Sequence, residues 1–156
     1  MFMKMKIFIL AAALAFALSA PGFAIAFEDI QHAVDVYNSG MENAPEVVKT
    51  LLGDERVQIE ITKSDGTFLL AGLETKDGVV VNTTEGEIED PTIVVNATED
   101  AITGVIESDN PVAAFEEAKG NGEITIEGMT WSAKLKVAAA LSSTAALRFF
   151  ASLLGK

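Results

Sequence analysis

The chain contains no cysteine, and its 156 residues include a single histidine, a single tryptophan and a single tyrosine. The absence of cysteine excludes a disulfide framework, a thiolate metal site and a thiol nucleophile. His32 falls beside acidic residues on a predicted helix, and no serine stands at a spacing that indicates a catalytic partner. A solvated surface histidine is therefore the better interpretation than a general base. We expect no catalytic residue, no cofactor and no enzymatic activity.

Basic residues are also scarce, with 11 Lys and Arg against 23 Asp and Glu and a net charge of -12. Nucleic-acid binding requires a clustered footprint of Lys and Arg, which this balance does not provide. Acidic residues gather at Glu85, Glu87, Glu89 and Asp90, but the segment lacks the alternating Asp/Asn positions and the closing Glu of a calcium loop. We expect a solvated acidic loop, no bound metal ion and no nucleic-acid partner.

The N-terminal residues have the pattern of an export signal. Two lysines precede an uncharged apolar run over residues 7–18, and Pro21-Gly22 ends that run. Ala24-Ile25-Ala26 then offers the small residues that a signal peptidase needs at its cleavage site. The sequence predicts a signal peptide over residues 1–26 and a mature domain over residues 27–156.

An uncleaved membrane anchor is the alternative to a cleaved signal. Residues 7–27 carry no charge and are about long enough to span a bilayer. Both interpretations place the domain outside the cytoplasm, either as a secreted or periplasmic-like protein or as one tethered to the membrane.

Two helices and a three-stranded meander are predicted after the leader. Residues 27–38 carry apolar side chains at helical spacing, and a shorter helix follows between Pro45 and Gly53. Asp-Gly turns then join three strands, over residues 56–62, 67–74 and 79–84. The second and third strands are apolar on both faces, so a partner subunit, a membrane or an N-terminal helix should cover the side away from the other helices.

The second half of the chain alternates strands with capped helices. The predicted elements are a strand over residues 92–97, a helix after Thr98, a helix opened by Asn110-Pro111, a strand over residues 122–128 and a last helix carrying Trp131. The acidic loop between residues 85 and 90 crosses over to the first of these strands.

The motif Asp-Asn-Pro-Val-Ala-Ala-Phe at residues 109–115, followed by Gly-Glu-Ile-Thr-Ile-Glu-Gly at residues 122–128, resembles the sterol carrier protein type 2 family. The resemblance covers roughly residues 28 to 150. It implies an α+β domain in which helices surround one five-stranded sheet and an apolar cavity binds lipid without any chemistry. The chain departs from the family pattern at Lys119-Gly120-Asn121 and at Gly104, where close packing would explain a glycine inside a helix.

The resemblance also implies which side chains line the cavity. They are Phe68 and Leu70 from the sheet, Ile102, Val105, Ile106, Val112 and Phe115 from the middle helices, and Trp131, Leu135 and Phe149 from the last helix. Each methylene of a buried guest would contribute about 0.8 kcal/mol, so a sterol, a fatty acyl chain or an isoprenoid chain could be held without a strong polar contact.

The C-terminal segment differs in charge from the rest of the chain. No carboxylate lies beyond Glu127, whereas residues 129–156 carry only basic charges, at Lys134, Lys136, Arg148 and Lys156. An apolar stripe runs along the same helix through Trp131, Leu135, Ala138, Ser142, Ala145, Phe149 and Leu153. This cationic amphipathic helix is interpreted either as the last core helix or as a lid that contacts a membrane surface.

A structural or dimerisation module with a filled core is the alternative function. In that case strands 67–74 and 79–84 would form a homodimer face. Two glycosylation sequons begin at Asn82 and Asn96, and they matter only if the source glycosylates exported proteins.

Overall fold

The computed structural model describes residues 25–46, 49 and 53–141 and the single positions 143, 145, 149 and 152. Its elements are α1 (Phe27–Met41), β1 (Arg56–Thr62), β2 (Phe68–Lys76), β3 (Val79–Glu85), β4 (Ile93–Thr98), α2 (Glu99–Glu107), α3 (Pro111–Gly120), β5 (Ile124–Gly128) and α4 (Trp131–Leu141). The predicted order of helices and strands is confirmed. Residues 1–24 of the leader, most of the short helix after Pro45, and Ser142 and Leu153 of the C-terminal stripe lie outside the described residues.

The five strands form one mixed sheet in the order β3-β2-β1-β4-β5. Neighbouring strands are antiparallel except for β1 and β4, which pair in parallel at the centre. A parallel pair requires a crossover connection, and here it includes β2, β3 and the acidic loop that follows them. The fold is therefore α+β, as predicted.

The register of β1 separates the two faces of the sheet. Val57, Ile59 and Ile61 are buried in the hydrophobic core, and their partners on β2 and β4 are core residues or pack against the core. The helices cover this face: α1 packs on β2 and β3, α2 on β4, and α3 and α4 on β5. We call it the helix face, and the side that carries Gln58 and Glu60 the outer face.

Hydrogen bonds from α1 attach the helix to edge strand β3. The side-chain amide of Asn38 donates to the carbonyl of Val80 at 2.9 Å and accepts from its N–H at 3.0 Å. The Tyr37 hydroxyl donates to the carbonyl of Gly78 at 2.5 Å. Burial raises the pKa of Tyr37 far above its ordinary value, so the phenol stays a neutral donor.

The acidic loop between β3 and β4 covers the middle of the outer face. Ile88 lies directly over Gly72, where a larger residue would collide with it. The side chain of Gln58 accepts from the N–H of Ile88 at 2.7 Å and donates to the carbonyl of Gly86 at 3.1 Å. The sequence did not indicate that this loop covers the sheet, and the cover explains how an apolar β2 is accommodated there.

Ile25 and Ala26 belong to the folded domain, although the predicted boundary assigns them to the leader. The Ile25 side chain is only 1% exposed and lies in the hydrophobic core. The N–H of Ala26 donates to Asp29 at 2.8 Å, which completes the N-terminal cap of α1. Both residues therefore contact the folded domain, and the position of the cleavage site stays a prediction.

Candidate functional site

Two polar caps determine where α2 and α3 begin, and these two helices form one layer. The Thr98 hydroxyl accepts from the N–H of Ala101 at 3.1 Å, and the Asn110 side chain accepts from the N–H of Ala113 at 3.2 Å. Pro111 stands in the first turn of α3, where a missing N–H costs nothing. The caps start both helices in the register that turns their apolar sides toward β4 and β5.

Most of the predicted lining residues belong to the hydrophobic core or pack against it. Ile102, Val105 and Phe115 are buried in the core, while three further predicted residues are half-buried and pack against it. The half-buried group is Ile106, Val112 and Phe149. The structure thus brings these six side chains into one apolar interior, which we call the helix-layer interior.

Phe68 and Leu70 do not join this interior. Phe68 pairs with Thr62 and Leu70 with Glu60, so both side chains point to the outer face. Leu69 pairs with Ile61 and packs against the core in their place. The strand is apolar on both faces, so its sequence pattern did not indicate which side faces the helices, and only the pairing register decides it.

Trp131 and Leu135 also lie apart from the interior, since they are 76% and 55% exposed. The buried side of α4 carries Ala133 and Val137 instead. A methyl group on Gly128 would approach the backbone nitrogen of Lys134 within 2.6 Å. The helix therefore runs so close to β5 that only a small residue fits at its contact point, and the large side chains of Trp131 and Leu135 face outward.

The exposed side of this helix combines apolar and basic groups. We define the α4 surface as Met129, Trp131, Lys134 and Leu135, all of which are exposed. Lys136 is positioned differently, because its ammonium lies 3.4 Å from the buried carboxylate of Glu55. Met129 was not among the predicted site residues, and an apolar residue directly after a glycine that ends a strand gave no clear signal.

An open cleft of about 230 Å³ lies between α2 and α3, next to the helix-layer interior. Its walls include Asp100, Glu117 and Glu123 beside Val105, which is the one predicted lining residue among those that border it. Gly104 faces this cleft and has no atom within 4 Å of an added methyl group. The expectation that close packing explains Gly104 is therefore wrong.

A second cleft, of about 430 Å³, lies between the end of α1 and the turn that joins β2 to β3. Asn38, Met41, Lys49 and Val79 contribute to its walls, and the predicted lining residues do not. Neither cleft corresponds to the cavity that the resemblance implied.

Glu85, Glu87, Glu89 and Asp90 are all exposed, as expected of a solvated loop. Within the described residues, acidic and histidine side chains form no group of three or more that could hold a metal ion. No helix in the same part of the chain has the length and apolar character to cross a bilayer.

No family model matches the sequence, and no curated protein matches it either. Solved structures do match. The sterol carrier protein domain 2 of Helicoverpa armigera aligns over 79% of this chain and 86% of its own, with 14% identity and a TM-score of 0.50. The chain has the sterol carrier protein 2 fold. A crystal structure of sterol carrier protein 2 covers 78% of this chain and 92% of its own at 13% identity and a TM-score of 0.49.

The apo form of sterol carrier protein 2 from Yarrowia lipolytica covers 76% of this chain and 98% of its own, at 16% identity and a TM-score of 0.45. The fold that the resemblance implied is confirmed by the match to the Helicoverpa armigera domain and by the order of helices and strands. In terms of this sterol carrier fold, the helix-layer interior lies between the sheet and the two middle helices, and the α4 surface lies at the C-terminal helix.

Proposed function

We propose that this protein binds a lipid chain in the helix-layer interior and transfers it passively between membranes. The observation that carries the proposal is an all-apolar interior within a sterol carrier protein 2 fold, bordered by the half-buried Ile106, Val112 and Phe149. The chemical class of the guest is a sterol, a fatty acyl chain or an isoprenoid chain. No reaction step is involved.

The physical basis of binding is the transfer of the lipid chain from water into the apolar interior. Ile102, Val105 and Phe115 are already packed, so a guest must first separate the middle helices from the sheet. Each lipid methylene that enters contributes about 0.8 kcal/mol of binding free energy. A long lipid chain therefore offsets the cost of separating the middle helices from the sheet. The six described residues that define the interior are all apolar and cannot orient a head group, so selectivity among lipids should be loose.

We further propose that the protein works outside the cytoplasm. The basic residues, apolar run and small residues of the leader support this location. An exported carrier would exchange lipid at membrane surfaces that cytoplasmic carriers do not reach.

The α4 surface is proposed as the part that contacts the membrane. Trp131 and Leu135 would enter the interfacial region of the bilayer, where tryptophan is favoured. Lys134 would add about 1 kcal/mol of attraction to an anionic surface. The rest of the domain is strongly acidic, so repulsion from that surface would orient the molecule with α4 toward it.

Extraction of the purified protein with organic solvent, followed by mass spectrometry, tests lipid binding directly. We expect one class of chain-bearing lipid at near-stoichiometric amounts. A protein that yields no lipid and does not bind a fluorescent fatty acid or a fluorescent sterol would contradict the proposal.

Paired variants locate the site. Ile106→Ser and Val112→Ser introduce a hydroxyl among half-buried apolar residues and should lower the affinity for the fluorescent lipid about tenfold, since desolvating a hydroxyl costs roughly 1–3 kcal/mol. Ala113→Ser is the matched control, because Ala113 is exposed on the same helix. Equal affinities in all three variants would place the lipid elsewhere.

A dimerisation module is the second candidate function. Phe68 and Val81 are 60% and 61% exposed, and Val79 on edge strand β3 is partly exposed as well. Phe68 and Val79 share the outer face beyond the cover of the acidic loop. Light scattering over a range of protein concentrations separates the two candidate functions. A lipid-free protein that forms a dimer, and whose dimer dissociates in the Phe68→Ser and Val81→Ser variants, would favour the dimerisation module.

A further inference from the structure

The first residue of α2 is a buried carboxylate with an unusual set of partners. Glu99 is 8% exposed, and its Oε2 atom accepts from the backbone N–H of Ile25 at 2.7 Å. Its Oε1 atom accepts from the N–H of Ser64 at 3.1 Å and from the Ser64 hydroxyl at 2.9 Å. Among the described Lys and Arg residues none forms an ion pair with Glu99, although Lys63 attracts it electrostatically. Buried charges are ordinarily paired.

Ile25 reaches this carboxylate from 74 positions away in sequence. Its side chain is fully packed in the core, so its backbone nitrogen is held in place beside Glu99. A cut after Ala26 would remove both the buried side chain and the N–H donor. It would leave a core vacancy and a carboxylate with one hydrogen bond fewer.

The sequence offers a second cleavage site that avoids this loss. Gly22-Phe23-Ala24 has the same pattern of small residues at the first and third positions as Ala24-Ile25-Ala26. A cut after Ala24 would retain Ile25 as the first residue. The nitrogen that now donates one N–H to Glu99 would then be the α-amino group of the mature chain.

We propose that the leader is cut between Ala24 and Ile25 and that the new α-ammonium group of Ile25 forms a buried ion pair with Glu99. A signal peptidase hydrolyses the peptide bond with one water, which leaves a carboxylate on Ala24 and an amine on Ile25. The amine takes a proton near neutral pH, since the pKa of an α-amino group is ordinarily about 8. Processing thereby supplies the cation that the buried carboxylate lacks among the described residues. The inference rests on the export signal of the proposed function but not on lipid binding.

Sequencing the N-terminus of the exported protein tests the cleavage site. The full chain is expressed in a host that exports it. The intact mass of the purified protein is measured as well, by mass spectrometry. We expect a single N-terminus at Ile25. A chain that begins at Phe27 or at Met1 would overturn the inference, whereas lipid extraction from the same sample reports on the proposed function separately.

Amine labelling tests the ion pair. Acetylation of the α-amino group with an N-hydroxysuccinimide ester at pH 7 should be at least about tenfold slower in the native protein than in urea, because a paired and buried ammonium is held protonated and inaccessible. Glu99→Gln should remove this protection, and Asp100→Asn, an exposed neighbour on α2, should not.

Labelling of the native protein as fast as in urea would overturn the ion pair. The comparison of the native and urea states needs no variant, so it can still overturn the ion pair if Glu99→Gln does not fold. Equal protection in a folded Glu99→Gln variant would also overturn it, because burial alone would then account for the slow reaction.

Discussion

At the scale of single residues, two glycines of the chain have opposite environments. Gly128 on β5 touches the backbone of α4, whereas Gly104 on α2 faces the open cleft. Gly128 permits a close approach between two elements, so its missing side chain has a structural use. Gly104 only adds backbone freedom to a helix, which weakens the helix.

The same substitution should therefore have opposite effects at the two sites. Gly128→Ala places a methyl group 2.6 Å from a backbone nitrogen and should lower the free energy of unfolding by about 1–3 kcal/mol. Gly104→Ala meets no atom within 4 Å and should raise it by about 1 kcal/mol. Urea denaturation of both variants measures the difference, and a change of the same sign in both would contradict the described position of α4.

Phe115 provides a second test at this scale. It is 1% exposed, so Phe115→Ala should lower the free energy of unfolding by about 3–5 kcal/mol. Glu117→Ala, an exposed site on the same helix, should change it by less than about 0.5 kcal/mol. Urea denaturation of lipid-free protein is the measurement. A loss below about 1 kcal/mol at Phe115 would show an interior that is hollow when lipid is absent.

At the scale of elements, the orientation of α4 distinguishes two lysines that are only two positions apart. Lys134 is exposed on the α4 surface, and Lys136 reaches back to the buried carboxylate of Glu55. The Thr92 hydroxyl donates to the other oxygen of Glu55 at 2.6 Å. Lys136 thus joins α4 to the start of the sheet, while Lys134 stays exposed on the α4 surface.

Charge reversal should separate these two roles. Lys134→Glu should weaken binding to vesicles rich in phosphatidylserine by about tenfold or more and leave the fold intact, because each basic group near such a surface is worth about 1 kcal/mol. Lys136→Glu should lower the free energy of unfolding by about 1–3 kcal/mol, since it faces a buried carboxylate with a like charge. Lys76→Glu, an exposed change on β2, is the control for net charge.

Vesicle sedimentation and urea denaturation measure the two effects. Binding of the wild-type protein should also fade as salt is added, because the attraction is screened over a Debye length. Vesicle binding that depends neither on Lys134 nor on salt would contradict membrane contact through the α4 surface. It would leave lipid binding by the interior unaffected.

At the scale of the whole molecule, the excess of carboxylates should make the free energy of unfolding depend on pH. Burial acts to raise the pKa of Glu99, but the hydrogen bonds from Ile25 and Ser64 outweigh it and hold the pKa below the ordinary value of 4.5. The ionised carboxylate therefore stabilises the fold. Its contribution is complete above about pH 4.5 and is lost as the pH falls through the lower pKa of the folded state.

Replacing Glu99 by glutamine should make the free energy of unfolding less sensitive to acid. The free energy of unfolding of the wild-type protein should fall more steeply than that of Glu99→Gln as the pH drops below 4.5. Urea denaturation at a series of pH values measures the slopes, and parallel curves for wild type and Glu99→Gln would contradict a lowered pKa.

The order of helices and strands could be predicted from the sequence because local interactions determine it. Alternation along β1, the Asp-Gly turns, the Thr98 and Asn110 caps and Pro111 each act within a few residues. Ile102, Val105 and Phe115 were expected in the interior because of the family resemblance, and the structure buries all three.

Only the tertiary structure decided which side of an ambiguous element faces the core. Phe68 points outward because β2 pairs with β1 in one register, and Trp131 is exposed because Gly128 admits α4 at close range. Ile25 belongs to the domain because Glu99, far along the chain, receives its N–H. Pairing, close approach and long-range hydrogen bonding depend on residues that are distant in sequence, so local periodicity and short motifs could not reveal them.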